Sequence, residues 1–276
     1  MAAAGKLVVC PTPLGNLEDI TLRVLRALRE SDVIFAEDTR VTKNLLRHFD
    51  IGTPLRSFPE GAHEKRLRDL RTLLLEGKTV AMVSDAGMPG ISDPGTELVR
   101  TARECGAAIE VLPGPSAVPP ALVLSGFDVS SFRFDGFPPR KAGERKAYLA
   151  GLEHERSAVV WFEAPTRVAE LLRDVSQALP HRRLFVVREY TKKFEQQICG
   201  TPDELLREIS APRGEFTIVL EGSRAQRPAA GIEVEKAIAF LRKRGVSAKD
   251  ASEAMRLVTG LSKNELYRLA LKVRRG

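Results

Sequence analysis

Residues 84–95 read SDAGMPGISDPG and follow the apolar run Thr79-Val80-Ala81-Met82-Val83 without a break. Twelve positions hold three glycines, two prolines and two aspartates. Glycine opens positive φ and close backbone approach, and proline fixes φ, so such a loop can aim amides and carbonyls at a ligand. It sits just past the end of a buried-strand pattern, where open α/β sheets bind ligands. A plain connection would need fewer special residues.

Two more loops follow the same plan. The run 6–10 (KLVVC) leads into PTPLGNLEDIT at 11–21, and 108–112 (AIEVL) leads into PGPSA at 113–117. Helix-period segments follow the three loops at 22–28, 96–102 and 117–124. That alternation predicts parallel strands joined by crossover helices.

Outward from these loops, the chain divides into three parts. A first α/β domain covers 1–115, with strands expected at 7–10, 33–36, 79–83 and 109–112 and helices at 41–49 and 63–75. PGPSA reads as the hinge into a second α/β domain at 116–222. Strands are expected there at 132–134, 158–162, 184–187 and 216–220, and helices at 143–152, 166–178 and 202–209. SRAQRPAAG, 223–231, has no apolar pattern and reads as a linker. The remainder, 232–276, reads as a basic helical module. A helix is expected over 233–242. Ser247 with Asp250, and Ser262 with Glu265, then look like helix starts on either side of Thr259-Gly260. That pattern fits a helix-turn-helix, or equally a small three-helix packing module.

Length and composition narrow the class. The 276 residues are 43% hydrophobic and 29% charged, as in a soluble globular protein. No apolar run is long enough to span a bilayer, and MAAAGKLVV lacks a signal-peptide core, so a cytoplasmic protein is expected. Cys10, Cys105 and Cys199 are odd in number and far apart, which suggests reduced thiols, with Cys10 and Cys105 in the core. The net charge of +7 is uneven. Residues 223–276 hold thirteen Lys and Arg against five Asp and Glu, whereas 1–222 hold thirty against thirty-one. A near-neutral body with a basic tail points to a polyanion, nucleic acid first, or to a solubilising surface.

The motif search excludes several chemistries. The chain has no GxGxxG, Walker A, HExxH, CxxC or GxSxG pattern, and its four histidines are scattered. No metal is expected. A cradle built mainly of backbone suits transfer from an already activated donor, where the protein chiefly supplies positioning.

VSDAGMPGISDPG, PTPLGNLEDIT, AEDTR (36–40), LPGPSA, GEFTIVLEG (214–222) and SKNELYRLAL occur in that family's order over nearly the whole chain. Together they resemble the ribosomal RNA small subunit methyltransferase I family, within the tetrapyrrole methylase superfamily. PTPLGN with AEDTR separates this branch from the tetrapyrrole enzymes. FPEGAHE, 58–64, departs from the His-rich loop of relatives. The resemblance implies two α/β domains with S-adenosylmethionine in the cleft between them, and a homodimer. It implies methylation of a cytidine 2′-hydroxyl in the decoding region of 16S rRNA within the small ribosomal subunit. A tetrapyrrole methyltransferase of the same fold and a non-catalytic RNA-binding protein are the alternatives.

The resemblance also implies residue roles. Leu14 would touch the methyl donor, with Pro13 shaping the turn; Leu14 could instead cap the core. The backbone of Gly87, Met88 and Ile91 would face the donor's methionine part. Asp85 would join it or fix the loop as an Asx turn. Ser116 and Ala117 would offer free amides, and Ser116 a hydroxyl, though Ser116 also reads as an N-cap. Phe162, Arg188 and Phe216 would wall the adenosine side, unless the two phenylalanines are plain core. Glu37, Asp38 and Arg40, and Glu189, Thr191 and Lys192, form two charge clusters that would hold ribose or phosphate, or else an interface ion-pair network. Glu37, Asp38, Glu189 and Lys192 are the candidate bases. Arg140, Lys141, Arg145 and Lys146 would meet phosphates or form a solvated face, and Lys263, Arg268 and Lys272 would do so on the last helix.

Overall fold

The computed structural model describes residues 5–58, 63–92, 95–209, 213–223, 234–259, 261 and 263–272. Asp93, the loop 59–62, the linker 224–231, Gly260, the Ser262 helix start, Arg274 and Arg275 lie outside the described residues.

The first sheet holds β1 (Lys6–Val9), β2 (Val33–Ala36), β3 (Leu55–Ser57), β4 (Thr79–Val83) and β5 (Ala108–Val111). Its order is β3-β2-β4-β1-β5 and every pairing is parallel. Leu7, Val9, Phe35, Val80 and Met82 face α3 (His63–Leu75) and α4 (Gly95–Glu104). Val8, Cys10, Ile34, Ala81 and Val83 face α1 (Leu22–Glu30) and α2 (Thr39–His48). Burial on both faces is why these strands read as unbroken apolar runs rather than alternating ones. Cys10 is fully buried, and burial, aided by Glu110, pushes its thiol up to about 12.

α5 (Val118–Ser125) follows the PGPSA loop but packs on the second sheet, through Ala121 and Leu122 against Val160, Phe185, Val187 and Val219. That sheet holds β6 (Phe132–Phe134), β7 (Ala158–Glu163), β8 (Leu184–Arg188), β9 (Gln196–Gly200) and β10 (Phe216–Leu220), in the order β6-β7-β10-β8-β9. It is mixed: β6 and β7 are parallel and the other pairings antiparallel. Its other face carries α6 (Ala142–Ala150), α7 (Pro165–Ala178) and α8 (Pro202–Glu208) over Trp161, Val186 and Ile218.

Three helices end the chain: α9 (Val234–Lys243), α10 (Ala248–Thr259) and α11 (Lys263–Lys272). They pack around Ile238, Met255, Leu266 and Ala270. The Ser247 start is a reciprocal cap. Its hydroxyl accepts the Asp250 amide at 3.0 Å and donates to the Asp250 carboxylate at 2.6 Å. The chain is an α/β protein of two sheets with a helical C-terminal segment.

Candidate active site

β1 and β4 are central neighbours, and their carboxyl-end loops meet. Thr12 and Gly87 exchange both backbone hydrogen bonds, at 3.0 and 2.9 Å. The Thr12 hydroxyl donates to the Ser84 carbonyl at 3.0 Å, and the Ser84 hydroxyl reaches the Gly87 carbonyl at 3.3 Å. Gly87 has φ +78°, a left-handed conformation that favours glycine, and a Cβ there would stand 3.2 Å from Leu14 Cδ2. Leu14 is therefore seated on the central loop. The third loop joins them: a Cβ on Gly114 would fall 2.9 Å from Pro11 Cβ.

The second sheet presents an aromatic wall to these loops. A cavity of about 350 Å³ lies between Leu14, Ala86 and Ala117 on one side and Phe137, Phe162 and Phe216 on the other. The Phe162 ring meets Phe134 edge-on at 4.8 Å and Phe137 at 6.0 Å. Leu14 also lines a second cavity of about 440 Å³ with Ser116, Tyr190 and Thr191. Pro13 and Asp85 border a third, of about 250 Å³, with Thr42 and Asn44. The structure thus brings Leu14, Ala117, Phe162 and Phe216 into one cavity. Ser116 and Asp85 stand in the flanking ones.

The first loop is also locked to the turn after β8. A Cβ on Gly15 would overlap Lys192 Cγ, and the Asn16 amide donates to the Thr191 hydroxyl at 3.2 Å. Glu189 and Thr191 hold φ of +51° and +66°, a strained arrangement for side-chain-bearing residues. The Glu189 carboxylate accepts from Lys192 Nζ and from the Glu215 amide, both at 3.0 Å. Lys192 also donates to Glu215 at 3.0 Å. Burial works to raise the Glu189 pKa, but the Lys192 bond, the Glu215 amide and the Lys192 charge outweigh it and leave it lowered. Burial likewise opposes the charged form of Lys192, and its two carboxylates outweigh that and raise its pKa. Both groups stay ionised, so Lys192 acts as a cation and not as a base.

Asp38 departs from its expected role. It caps α2, and its carboxylate takes the Arg40 amide at 2.7 Å and the Arg40 guanidinium at 2.6 Å. Those bonds hold its pKa down to about 2, too low for a useful base. Asp85 accepts the Asp38 amide at 2.9 Å, while its own amide faces Glu37 at 3.5 Å. It ties the central loop to the end of β2. Ser116 does not cap α5; that position belongs to Ala117, whose side chain cannot accept, and because Pro119 and Pro120 carry no amide hydrogen only Val118 has an N–H in the first three positions. Met88 packs into the first core, and Ile91 is exposed. The Arg188 guanidinium donates to the Arg213 carbonyl at 2.6 Å and lies 5.9 Å from the Phe216 ring centre.

Arg145 is the clearest correction. It is 1% exposed and bonded to Asp174 and Glu170, both at 2.7 Å, so it cannot meet a phosphate. Arg40, Arg140, Lys141, Lys146 and Arg268 are exposed. The side chains of Lys263 and Lys272 lie outside the described residues. Among the described residues no cluster of metal-ligating side chains occurs.

Sequence reasoning missed Phe137 and Glu163. The Glu163 side chain is fully buried, accepts the Ala164 amide at 2.8 Å and lies 3.3 Å from Arg167. Burial raises its pKa, opposed by that amide and by the Arg167 charge. A carboxylate closing the apolar strand VVWFE just before Ala-Pro was the available signal.

Two sheets joined by a backbone-built cleft define a class, the tetrapyrrole methylases. The family model described as Tetrapyrrole (Corrin/Porphyrin) Methylases matches residues 6–206. Solved structures agree on the fold. The methyltransferase CobJ superposes with a TM-score of 0.61 at 19% identity, over 82% of this chain and 97% of that one. Uroporphyrin-III C-methyl transferase from Thermus thermophilus, complexed with S-adenyl homocysteine, gives 0.55 at 18% identity, over 79% and 97%. Among curated relatives, a Thermotoga maritima protein named ribosomal RNA small subunit methyltransferase I is 46% identical, over 79% of this chain and 99% of its own length. A Neisseria meningitidis serogroup B protein of the same name is 39% identical over 97% of this chain and 93% of its own. This chain belongs to the ribosomal RNA small subunit methyltransferase I family.

Proposed function

We propose that the chain is an S-adenosylmethionine-dependent methyltransferase that modifies the 2′-hydroxyl of a cytidine in the decoding region of 16S rRNA, on the small ribosomal subunit. The observation that carries the reading is the cleft, where Leu14, Ala86 and Ala117 face Phe137, Phe162 and Phe216. The chain is also 39–46% identical to proteins named for small-subunit rRNA methylation. Residues 1–115 and 116–222 act as the two domains around the cleft, and 232–276 as a basic module that meets RNA. The protein works in the cytoplasm as a homodimer, for which exposed Leu22, Val111 and Val123 supply apolar surface.

The residues fit this methyl donor. The aromatic cavity suits a nucleoside, Gly87 leaves room for Leu14, and Ser116 offers its hydroxyl to the flanking cavity. When bound, S-adenosylmethionine supplies a methyl group on a sulfonium, activated for in-line transfer. The work left to the chain is alignment. Leu14, fixed on Gly87, positions the reacting end, and Phe162 and Phe216 hold the nucleoside. Lys192 stays cationic and holds the acceptor's ribose–phosphate. Glu189 and Glu37 remain the candidate proton acceptors for the hydroxyl; such a base contributes typically about 10²–10⁴-fold.

The test supplies labelled S-adenosylmethionine with small ribosomal subunits, naked 16S rRNA or uroporphyrinogen. Label on a ribose 2′-oxygen of subunit RNA is expected. Label on the tetrapyrrole, or none on RNA, overturns the reading.

A further inference from the structure

Phe137 is unlike the other aromatic side chains of the cleft. Phe216 is 2% exposed, whereas Phe137 is 52% exposed at the edge of the same cavity. It opens the segment Phe-Pro-Pro-Arg-Lys, and this segment is held from below by two guanidiniums. Arg167 donates to the Pro138 carbonyl at 2.9 Å. Arg145 donates to the Arg140 carbonyl at 3.1 Å and reaches the Pro139 carbonyl at 3.4 Å. Both arginines are anchored in turn, Arg145 by Asp174 and Glu170 and Arg167 by Glu163. Prolines offer carbonyls but no amide hydrogens, so arginine forks satisfy this turn where a backbone ladder cannot. Gly136, at φ +66°, sets the ring against Phe162. Past the ring, Arg140 and Lys141 are exposed.

A half-exposed aromatic ring on a rigid turn, next to exposed cations, is how proteins stack a nucleobase and track its phosphates. We infer that Phe137 is a stacking platform for a base of the RNA substrate, with Arg140 and Lys141 on the adjoining phosphates. Arg145 and Arg167 are positioning residues that act through the turn. The inference rests on the proposed function, because it takes RNA as the acceptor. Phe162 and Phe216 are the more buried walls of the cavity, whereas Phe137 stands at its edge with half its surface exposed. The ring is therefore assigned to the RNA and not to the adenine of the methyl donor.

The experiment measures two affinities for Phe137→Ala, Phe137→Trp and wild type: small ribosomal subunits by filter binding, and S-adenosylhomocysteine by calorimetry. Phe137→Ala is expected to weaken subunit binding roughly 5- to 150-fold, the range for losing one base stack. S-adenosylhomocysteine affinity should fall by less than subunit affinity, because Phe137 forms only the edge of that cavity, and Phe137→Trp should restore subunit binding. Stacking carries no charge, so the slope of log Kd against log salt should not change in Phe137→Ala. It should fall by about one for each lost phosphate contact in Arg140→Ala or Lys141→Ala. Unchanged subunit binding in Phe137→Ala overturns the inference, as does a loss confined to S-adenosylhomocysteine. Wild-type protein that binds S-adenosylhomocysteine but no ribosomal RNA overturns the proposed function as well, which separates the two failures.

Discussion

Arg145→Ala removes a guanidinium that is 1% exposed and makes bonds of 2.7 Å to Asp174, 2.7 Å to Glu170 and 3.1 Å to the Arg140 carbonyl. The Asp174 side chain is only 10% exposed, so it would be left charged in the interior without a partner. Breaking one half of a buried pair costs about 3–5 kcal/mol. Glu170, 55% exposed, adds little, since water screens it. A loss of that size lowers Tm by roughly 10 °C for a domain of this order. Thermal melting followed by far-UV circular dichroism reads it. Lys146→Ala, the exposed neighbour, should move stability by less than about 0.5 kcal/mol. The double variant Arg145→Met/Asp174→Leu should recover much of the loss, because it leaves no charge behind. If Arg145→Ala melts within 2 °C of wild type (roughly 1 kcal/mol at this size), the buried-anchor reasoning is wrong. The side chain would then be free to meet a phosphate after all.

Gly87→Ala should weaken S-adenosylhomocysteine binding at least tenfold by calorimetry, because φ +78° and the 3.2 Å approach of Leu14 both oppose a Cβ; unchanged affinity would remove Leu14 and the central loop from the donor site. Glu189 has a lowered pKa in the folded protein, so its ion pair stabilises at neutral pH and is lost as pH falls below the ordinary carboxylate range of roughly 4. The stability gap between wild type and Glu189→Gln, measured by urea melts, should therefore close on acidification; a gap that persists at pH 2 would refute the assignment. Truncation after Gly222 should reduce RNA methylation more than S-adenosylhomocysteine binding, and equal loss of both would assign the tail a folding role instead. Cys199, exposed beside Arg183, should react with a thiol reagent in the native state, whereas Cys10 should react only on unfolding.

The first sheet was legible because its three central strands, β1, β2 and β4, are buried on both faces, and burial writes itself as apolar runs. β3 and β9 were not: like β5 and β6 they are edge strands, but they carry few apolar residues to mark them. Leu55-Arg56-Ser57 and Gln196–Gly200 carry polar residues and depend on a neighbour for their pairing. The mixed character of the second sheet was also hidden, since strand direction follows from connections and not from composition. At the site, Gly and Pro marked the three loops and a charge cluster marked Glu189, Thr191 and Lys192, but nothing marked the positive φ of Glu189 and Thr191. Arg145 could have been read correctly. It precedes Leu149 by four residues, and one helical turn places both on the buried stripe of α6. Charge counting obscured what spacing carried. Glu163 needed the Arg167 partner and the α7 start in view together.

The order of strands in the second sheet decides when the cleft can exist. β10 lies between β7 and β8, yet among the described residues it is the last strand to be made. A chain growing from its N-terminus has every strand of the first sheet once Val111 has emerged. β7 and β8, by contrast, wait without their shared neighbour until residues 216–220 arrive. Phe216, a wall of the 350 Å³ cavity, belongs to that late strand. The cavity is thus completed by almost the last step of building the α/β body, and no shorter nascent fragment carries Phe216 in its wall.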